Sequence, residues 1–145
     1  MHVELTTFGA VVKFALDVEA EVSIFYESAL GVTTDPNLRK LLESLLNRGQ
    51  KRIKTLMRVR RENVTEMILE PIAGLNSEVH KLVTVIPEGA NDSIVRETAA
   101  ALETKLHEFY MHAAAKIGFL SEAAYALELL ADANSEAAQS LRAAI

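Results

Sequence analysis

Two glutamates, Glu19 and Glu103, occupy positions that helical periodicity assigns to an apolar face. The residues one turn before and after each of them are apolar, and a tyrosine follows seven residues later, at Tyr26 and Tyr110. A carboxylate on a core face is costly unless it is paired, protonated or bound to a metal. The pattern therefore predicts two buried carboxylates, each of which needs a partner, a proton or a metal. The plainer alternative is that each glutamate lies at the edge of its stripe and reaches solvent.

The elements that carry these residues are predicted to be helices. Apolar residues recur at three- and four-residue steps over four stretches, at about 7–30, 35–63, 93–117 and 122–143. Asp35 and Pro36 supply an N-cap and a favoured first residue for the second helix. Its short connection to the first helix predicts an antiparallel pair. Residues 64–92 are punctuated by Pro and Gly and predict a long crossover, in which 65–70 and 77–86 could be short helices.

The two halves of the chain resemble each other. A shift of about 84 residues superimposes the first helix on the third, and a shift of about 85 does the same for the second and fourth. The matched residues include Glu19, Phe25 and Tyr26 with Glu103, Phe109 and Tyr110. Amphipathic helices resemble one another by default, so chance is the alternative. The repeated Glu and Phe-Tyr spacing favours duplication of a helical hairpin.

Composition narrows the function classes. The net charge of −5 argues against general nucleic-acid binding, which needs clustered cations. The sequence has no cysteine, so disulfides and thiolate metal sites are excluded. No uncharged apolar run approaches the roughly 20 residues that span a bilayer, and the first residues lack the basic start of a signal peptide. We therefore expect a cytoplasmic protein that binds neither nucleic acid nor membrane.

Two segments, Glu19–Glu27 (EAEVSIFYE) and Asp35–Leu42 (DPNLRKLL), carry a family resemblance. Through them the chain resembles the rubrerythrin-like branch of the ferritin-like superfamily. The resemblance implies an all-α, ferritin-like four-helix bundle of two antiparallel hairpins joined by a long crossover, with residues 1–145 as a single domain. It also implies a homodimer. Family members hold a di-iron centre with a Glu from each of helices 1 and 3 and a Glu-x-x-His from each of helices 2 and 4. Glu19 and Glu103 match the first two ligand positions, and Tyr26 and Tyr110 lie two turns beyond.

The second half of that ligand pattern is missing. The Glu-x-x-His positions of helices 2 and 4 are occupied by Gly49, Arg52, Asn134 and Ala137. Neither helix contains a histidine, so a change of register cannot restore the motif. We expect a degenerate di-iron site without a cofactor. In its place, the Arg52 guanidinium could bridge Glu19 and Glu103 and replace the charge of the metal, or it could extend to the surface.

Two functions follow as expectations. The first is a non-catalytic bundle used for association or regulation, with its di-iron centre lost. The second is a residual iron protein with redox or peroxide-related activity, in which Glu19, Glu103 and either His107 or Glu136 hold a metal. Neither function specifies a protein partner or a substrate.

Other residues that could bind a metal or a partner lie outside this ligand pattern. Glu103 with His107, and Glu108 with His112, are i,i+4 pairs that could bind a metal but more often form surface hydrogen bonds. His80, in the crossover, is expected to be solvated. Seven cations between positions 48 and 61 could form a docking patch for an acidic partner, although cations also suit the C-terminal half of a helix.

Overall fold

Four α-helices account for most of the structure. The structure is a computed structural model that describes residues 5, 7–63, 74–75, 80, 82 and 84–143. The helices are α1 (Phe8–Val32), α2 (Pro36–Glu62), α3 (Asp92–Lys116) and α4 (Ser121–Ala143). Within these described ranges there is no strand. The all-α class and the four-helix bundle are confirmed, and each helix boundary lies within two residues of its predicted position.

Side-chain caps begin three of the helices. The Thr7 hydroxyl accepts a hydrogen bond from the Ala10 backbone N–H at 3.0 Å, at the start of α1. Asp35 caps α2, with Pro36 as its first residue, and Asn91 accepts from the Ile94 N–H at 2.9 Å at the start of α3. Each cap satisfies a backbone donor that the helix itself leaves without a partner.

The helices pack as two hairpins. α1 packs closely on α2 and α3 on α4, while α2 also contacts α4 and α1 contacts α3. The Asp92 carboxylate accepts hydrogen bonds from Thr34 N, Thr34 Oγ1 and Asp35 N, each at 2.9 Å. This contact places the starts of α2 and α3 at the same end of the bundle. The connection between α2 and α3 must therefore return along the length of the bundle.

Part of that crossover is described. The short helices expected at 65–70 and 77–86 fall outside the described residues, except for 80, 82 and 84–86, which are not helical. Leu75 is fully buried, and its carbonyl accepts a hydrogen bond from Leu5 N at 2.9 Å. His80 is buried against the Phe109 ring, so the prediction that it is solvated is wrong.

The core is formed by one apolar face of each helix. Its largest fully buried side chains include Phe8, Phe25, Tyr26, Leu38, Leu42, Leu106, Phe109, Tyr110 and Leu127. Burial of each such side chain contributes roughly 1.5–3 kcal/mol. Among the helices described, none is long and apolar enough to cross a membrane. The same core encloses a small set of charged residues at mid-height of the bundle.

A buried charge cluster as the candidate functional site

Five residues from the four helices meet inside the bundle and form what we call the buried charge cluster: Glu19, Arg48, Arg52, Glu103 and Asn134. Both glutamates are 1% exposed. The alternative that they lie at the edge of their stripes and reach solvent is therefore wrong. Their burial requires compensating partners, since an unpaired buried carboxylate is strongly destabilising.

Glu19 is held by donors from two other helices. Its Oε2 accepts a hydrogen bond from the Tyr110 hydroxyl at 2.5 Å and another from Arg52 Nε at 3.0 Å. The ion pair with Arg52 is buried on both sides, with side-chain exposures of 4% and 1%. A buried, hydrogen-bonded pair of this kind couples its two members strongly.

Glu103 is held by three donors. Its Oε2 accepts from the Tyr26 hydroxyl at 2.5 Å. Its Oε1 accepts from Arg48 Nη2 at 2.8 Å and from Asn134 Nδ2 at 2.7 Å. Every partner is a donor, which is the environment that an ionised carboxylate requires.

The two tyrosines exchange partners across the bundle. Tyr26 of α1 donates to Glu103 of α3, and Tyr110 of α3 donates to Glu19 of α1. Burial, together with the neighbouring carboxylate, raises the pKa of both tyrosines well above the usual value of 10. Both hydroxyls therefore stay protonated and act as donors. The exchange has the two-fold pattern expected of a duplicated hairpin.

Arg52 connects the two carboxylates only indirectly. Its Nη2 donates to Asn134 Oδ1 at 2.8 Å, and Asn134 in turn donates to Glu103. Among the described residues Arg52 forms no hydrogen bond or ion pair with Glu103. The predicted direct bridge is thus replaced by a chain that runs through Asn134. Burial is the largest single effect and lowers the pKa of Arg52, but the effects of Glu19, Tyr110 and Glu103 together outweigh it and raise that pKa above its usual value. Its Cζ also lies 5.3 Å from the centre of the Tyr110 ring.

Arg48 is a member of the cluster that the sequence pattern does not predict. The pattern places it among the surface cations of α2, yet its side chain is only 25% exposed and pairs with Glu103. A second bond, from Nη1 to the Ala133 carbonyl at 3.0 Å, fixes it to α4. Its position one turn before Arg52 was the available signal, because residues four apart share a helix face. The cationic patch at 48–61 therefore loses two of its seven members to the interior.

The predicted ligand positions are occupied by residues of the wrong chemistry for a di-iron centre. Gly49 is buried, and a Cβ added there would lie 3.2 Å from Ser23 Oγ. Ala137 is 4% exposed and apolar. The other two positions hold the Arg52 guanidinium and the Asn134 amide, which donate to Glu19 and Glu103, the two acids that the family resemblance predicts as ligands. No group of three or more His, Cys, Asp or Glu side chains is placed to hold a metal within the described part of the chain.

The secondary metal candidates are directed elsewhere. His107 Nδ1 lies 2.8 Å from the Ala131 carbonyl, to which it donates. His112 Nδ1 lies 3.1 Å from His80 Nε2. Glu108 lies 4.0 Å from the Lys105 ammonium, and Glu136 is exposed. Among the residues described, therefore, neither histidine forms a hydrogen bond with the glutamate four residues before it.

Four buried polar atoms at the cluster lack a hydrogen-bond partner among the described residues. They are Glu19 Oε1, Ser23 Oγ, Arg48 Nε and Arg52 Nη1. Three of the four belong to the side chains that carry the charges. The hydrogen bonding is therefore more complete around Glu103 than around Glu19.

A scan against protein-family models finds no match to this chain, and searches of curated proteins and of solved structures find none either. What the chain does must therefore be argued from the cluster itself. Two acids and two arginines balance each other in charge, and tyrosine and asparagine donors complete the arrangement. Such a cluster can hold two buried carboxylates in place without a metal.

Proposed function

We propose that this chain is a rubrerythrin-like bundle whose di-iron centre has been replaced by the buried charge cluster, and that it serves association or regulation rather than catalysis. The observation that carries the proposal is the Arg52 guanidinium, 3.0 Å from Glu19 and buried with it. A guanidinium supplies the positive charge that a metal would have supplied, and it needs no ligands from helices 2 and 4. A cytoplasmic location and a homodimer belong to the same proposal.

A residual iron site is the second candidate, and one observation favours it. Glu19 Oε1 is buried and has no hydrogen-bond partner in the described residues, so it retains a lone pair for a metal. Against it, every other carboxylate oxygen of the two acids accepts at least one donor. Two carboxylates without imidazoles form a weak site for iron.

Elemental analysis after iron-replete expression separates the two candidates. We expect a folded protein without stoichiometric iron, because the donors of the cluster already occupy the carboxylates. An Arg52→Ala variant prepared in parallel provides the matched control, since it removes the guanidinium and leaves both acids. Stoichiometric iron in the unmodified protein would overturn the proposal in favour of the residual metal site.

A further inference from the structure

The charges of this protein are strongly segregated. α2 contains nine lysines and arginines against two acids, whereas the rest of the chain contains six against eighteen. Two of the nine, Arg48 and Arg52, point into the cluster, and most of the others lie on the outside. A surface this asymmetric favours partners that offer the complementary charge.

The outward cations of α2 lie on the side of the helix away from α1. Gly49 marks the side facing α1, because a Cβ added there would lie 3.2 Å from Ser23 Oγ of α1. At about 100° per residue, Lys51 and Arg58 are each about half a turn around the helix from Gly49. Both are exposed, and the ion pair of Arg58 is with Glu62 on the same exposed face, at 3.3 Å. These charges are therefore available to a partner.

The outward face of α4 is acidic and carries two large apolar side chains. Tyr125 is 61% exposed and Leu129 is 50% exposed. Ala131 marks the side facing α3, because its carbonyl accepts from His107, and Tyr125 and Leu129 lie about 120° and 160° around the helix from it. Glu122 and Asp132 flank them and are also exposed. An exposed tyrosine and leucine bordered by charges resemble the centre and rim of a protein interface.

α2 and α4 are neighbours, so their outer sides form one continuous face. Arg48 contacts the Ala133 carbonyl and Arg52 contacts the Leu130 carbonyl, which fixes the two helices as antiparallel with position 48 level with 133. By the same progression Lys51 is level with Asp132, and Arg58 with Tyr125, to within about one turn. Positive and negative charges thus stand side by side at matching heights.

We propose that a second copy of this chain docks on the face formed by the outer sides of α2 and α4, around a two-fold axis parallel to the helices. That axis places α2 of each copy over α4 of the other. Lys51 then faces Asp132 of the partner subunit, and the Arg58 guanidinium reaches Tyr125 of the partner subunit, a favourable cation–π contact. A two-fold axis across the helices would instead set α2 on α2 and oppose like charges.

The face is large enough for such a dimer. α2 has 27 residues and α4 has 23, which correspond to about 40 and 35 Å of helix. Two adjacent helices of that length, each about 10 Å wide, offer on the order of 700 Å² per copy. A stable interface buries about 800 Å² per partner. The face therefore matches a standard interface in size as well as in charge pattern.

Sedimentation equilibrium of the full chain at low salt tests this arrangement with two charge-reversed variants. One carries Lys51→Glu and Arg58→Glu, and the other carries Glu122→Lys and Asp132→Lys. We expect the unmodified protein to dimerise and each variant alone to bind itself at least about a hundredfold more weakly, because attractive pairs become repulsive on both halves of the interface. Mixed together, the two variants should form a heterodimer, since all opposed charges are complementary again.

A control variant with Lys13→Glu and Lys105→Glu changes the net charge by the same amount as the first variant. These lysines are exposed on α1 and α3, away from the proposed face, so its dimerisation should match that of the unmodified protein. Circular dichroism verifies that each variant is folded. A monomeric unmodified protein, a reversed variant that still dimerises, or a mixture that stays monomeric would each overturn the proposal. A monomer would point instead to a different, acidic partner for α2.

This inference rests on the homodimer of the proposed function, to which it assigns a face and a two-fold axis. The proposed loss of the metal centre and the dimer fail separately, because the elemental analysis measures iron and the sedimentation measures self-association. A metal-free monomer would overturn the dimer and leave the loss of the metal centre in place. An iron-loaded protein whose variants pass the charge-swap test would overturn the loss of the metal centre and leave the dimer in place.

Discussion

At the scale of single residues, the pair formed by Glu19 and Arg52 defines the chemistry of the core. Two charged groups in an apolar interior are each destabilising when alone, because neither recovers its lost hydration. Together, at 3.0 Å, with Tyr110 and Asn134 as further partners, they become compatible with close packing. The same holds for Glu103, whose charge is met by Arg48.

The coupling within this pair is measurable by a double-mutant cycle. We expect Arg52→Met to lower the free energy of unfolding by about 3–5 kcal/mol, because it leaves Glu19 buried without its counter-charge. Adding Glu19→Gln should recover part of that loss, so the double variant should be more stable than the sum of the single effects implies. Urea unfolding followed by circular dichroism gives the four free energies, those of the unmodified protein, the two single variants and the double variant.

Lys13 of α1 provides the control. It also pairs with a carboxylate, that of Asp17, but both side chains are more than half exposed and lie away from the proposed dimer face. Lys13→Met should therefore change the stability by less than about 1 kcal/mol. If Arg52→Met cost no more than Lys13→Met, the buried pair would not have the role assigned to it.

The sequence allowed part of this site to be predicted. Glu19 and Glu103 stand out because they interrupt apolar stripes, and Arg52 stands out because it occupies a ligand position of the resembling family. Asn134 occupies another of these ligand positions, but its role as a link between Arg52 and Glu103 is not predictable from the sequence. Arg48 does not stand out, because polar residues beside a core face usually reach solvent. Whether Arg52 reaches one acid or both depends on distances between helices, which periodicity does not contain.

At the scale of elements, the four helices were predictable because local signals agree with packing. Caps at Asp35 and Asn91, and apolar faces with a helical period, specify where each helix begins and which side it buries. The crossover lacks such a period. Its residues Leu75 and His80 are buried by tertiary contacts with distant parts of the chain, and no local pattern predicts that.

His80 makes the docking of the crossover on α3 sensitive to pH. Burial lowers the pKa of His80 below its usual value of 6.5, and His112 and Lys105 lower it further against an opposing effect of Glu108. The unfolded chain therefore takes up the proton first as the pH falls. The stability associated with neutral His80 is complete above about pH 6.5 and is lost progressively below it.

We expect the free energy of unfolding to fall between pH 7 and pH 5 more steeply in the unmodified protein than in a His80→Gln variant. The difference in slope should not exceed about 1.4 kcal/mol per pH unit, the limit for one proton. Urea unfolding at several pH values measures both slopes. Equal slopes would show that His80 titrates alike in the folded and unfolded chains.

At the scale of the whole molecule, the two hairpins have the same arrangement of Glu and Tyr but differ in the charge that they contribute to the core. Tyr26 and Tyr110 exchange partners with near-equivalent geometry, as the internal repeat predicts. The cations, however, all come from α2, whereas α4 contributes Asn134 and the apolar Ala137 at the corresponding level. One hairpin therefore neutralises the acids of both, and the same segregation leaves α2 positive on its outer surface.

A core that is neutral by itself should not depend on a metal for its stability. A ligand that binds only the folded chain raises its free energy of unfolding by RT ln(1 + L/Kd), where L is the free ligand concentration. The dependence of the thermal unfolding midpoint on ferrous iron therefore tests whether the two arginines stand in place of a metal, even if iron is lost during purification.

The decisive measurement is the thermal unfolding midpoint of the chelator-stripped protein, under anaerobic conditions, with and without excess ferrous iron. We predict a cooperative transition whose midpoint is the same in both solutions, because Arg48 and Arg52 already balance Glu19 and Glu103. A midpoint that rises by several degrees with iron, and keeps rising with the logarithm of the iron concentration, would contradict the claim that the arginines stand in place of the metal.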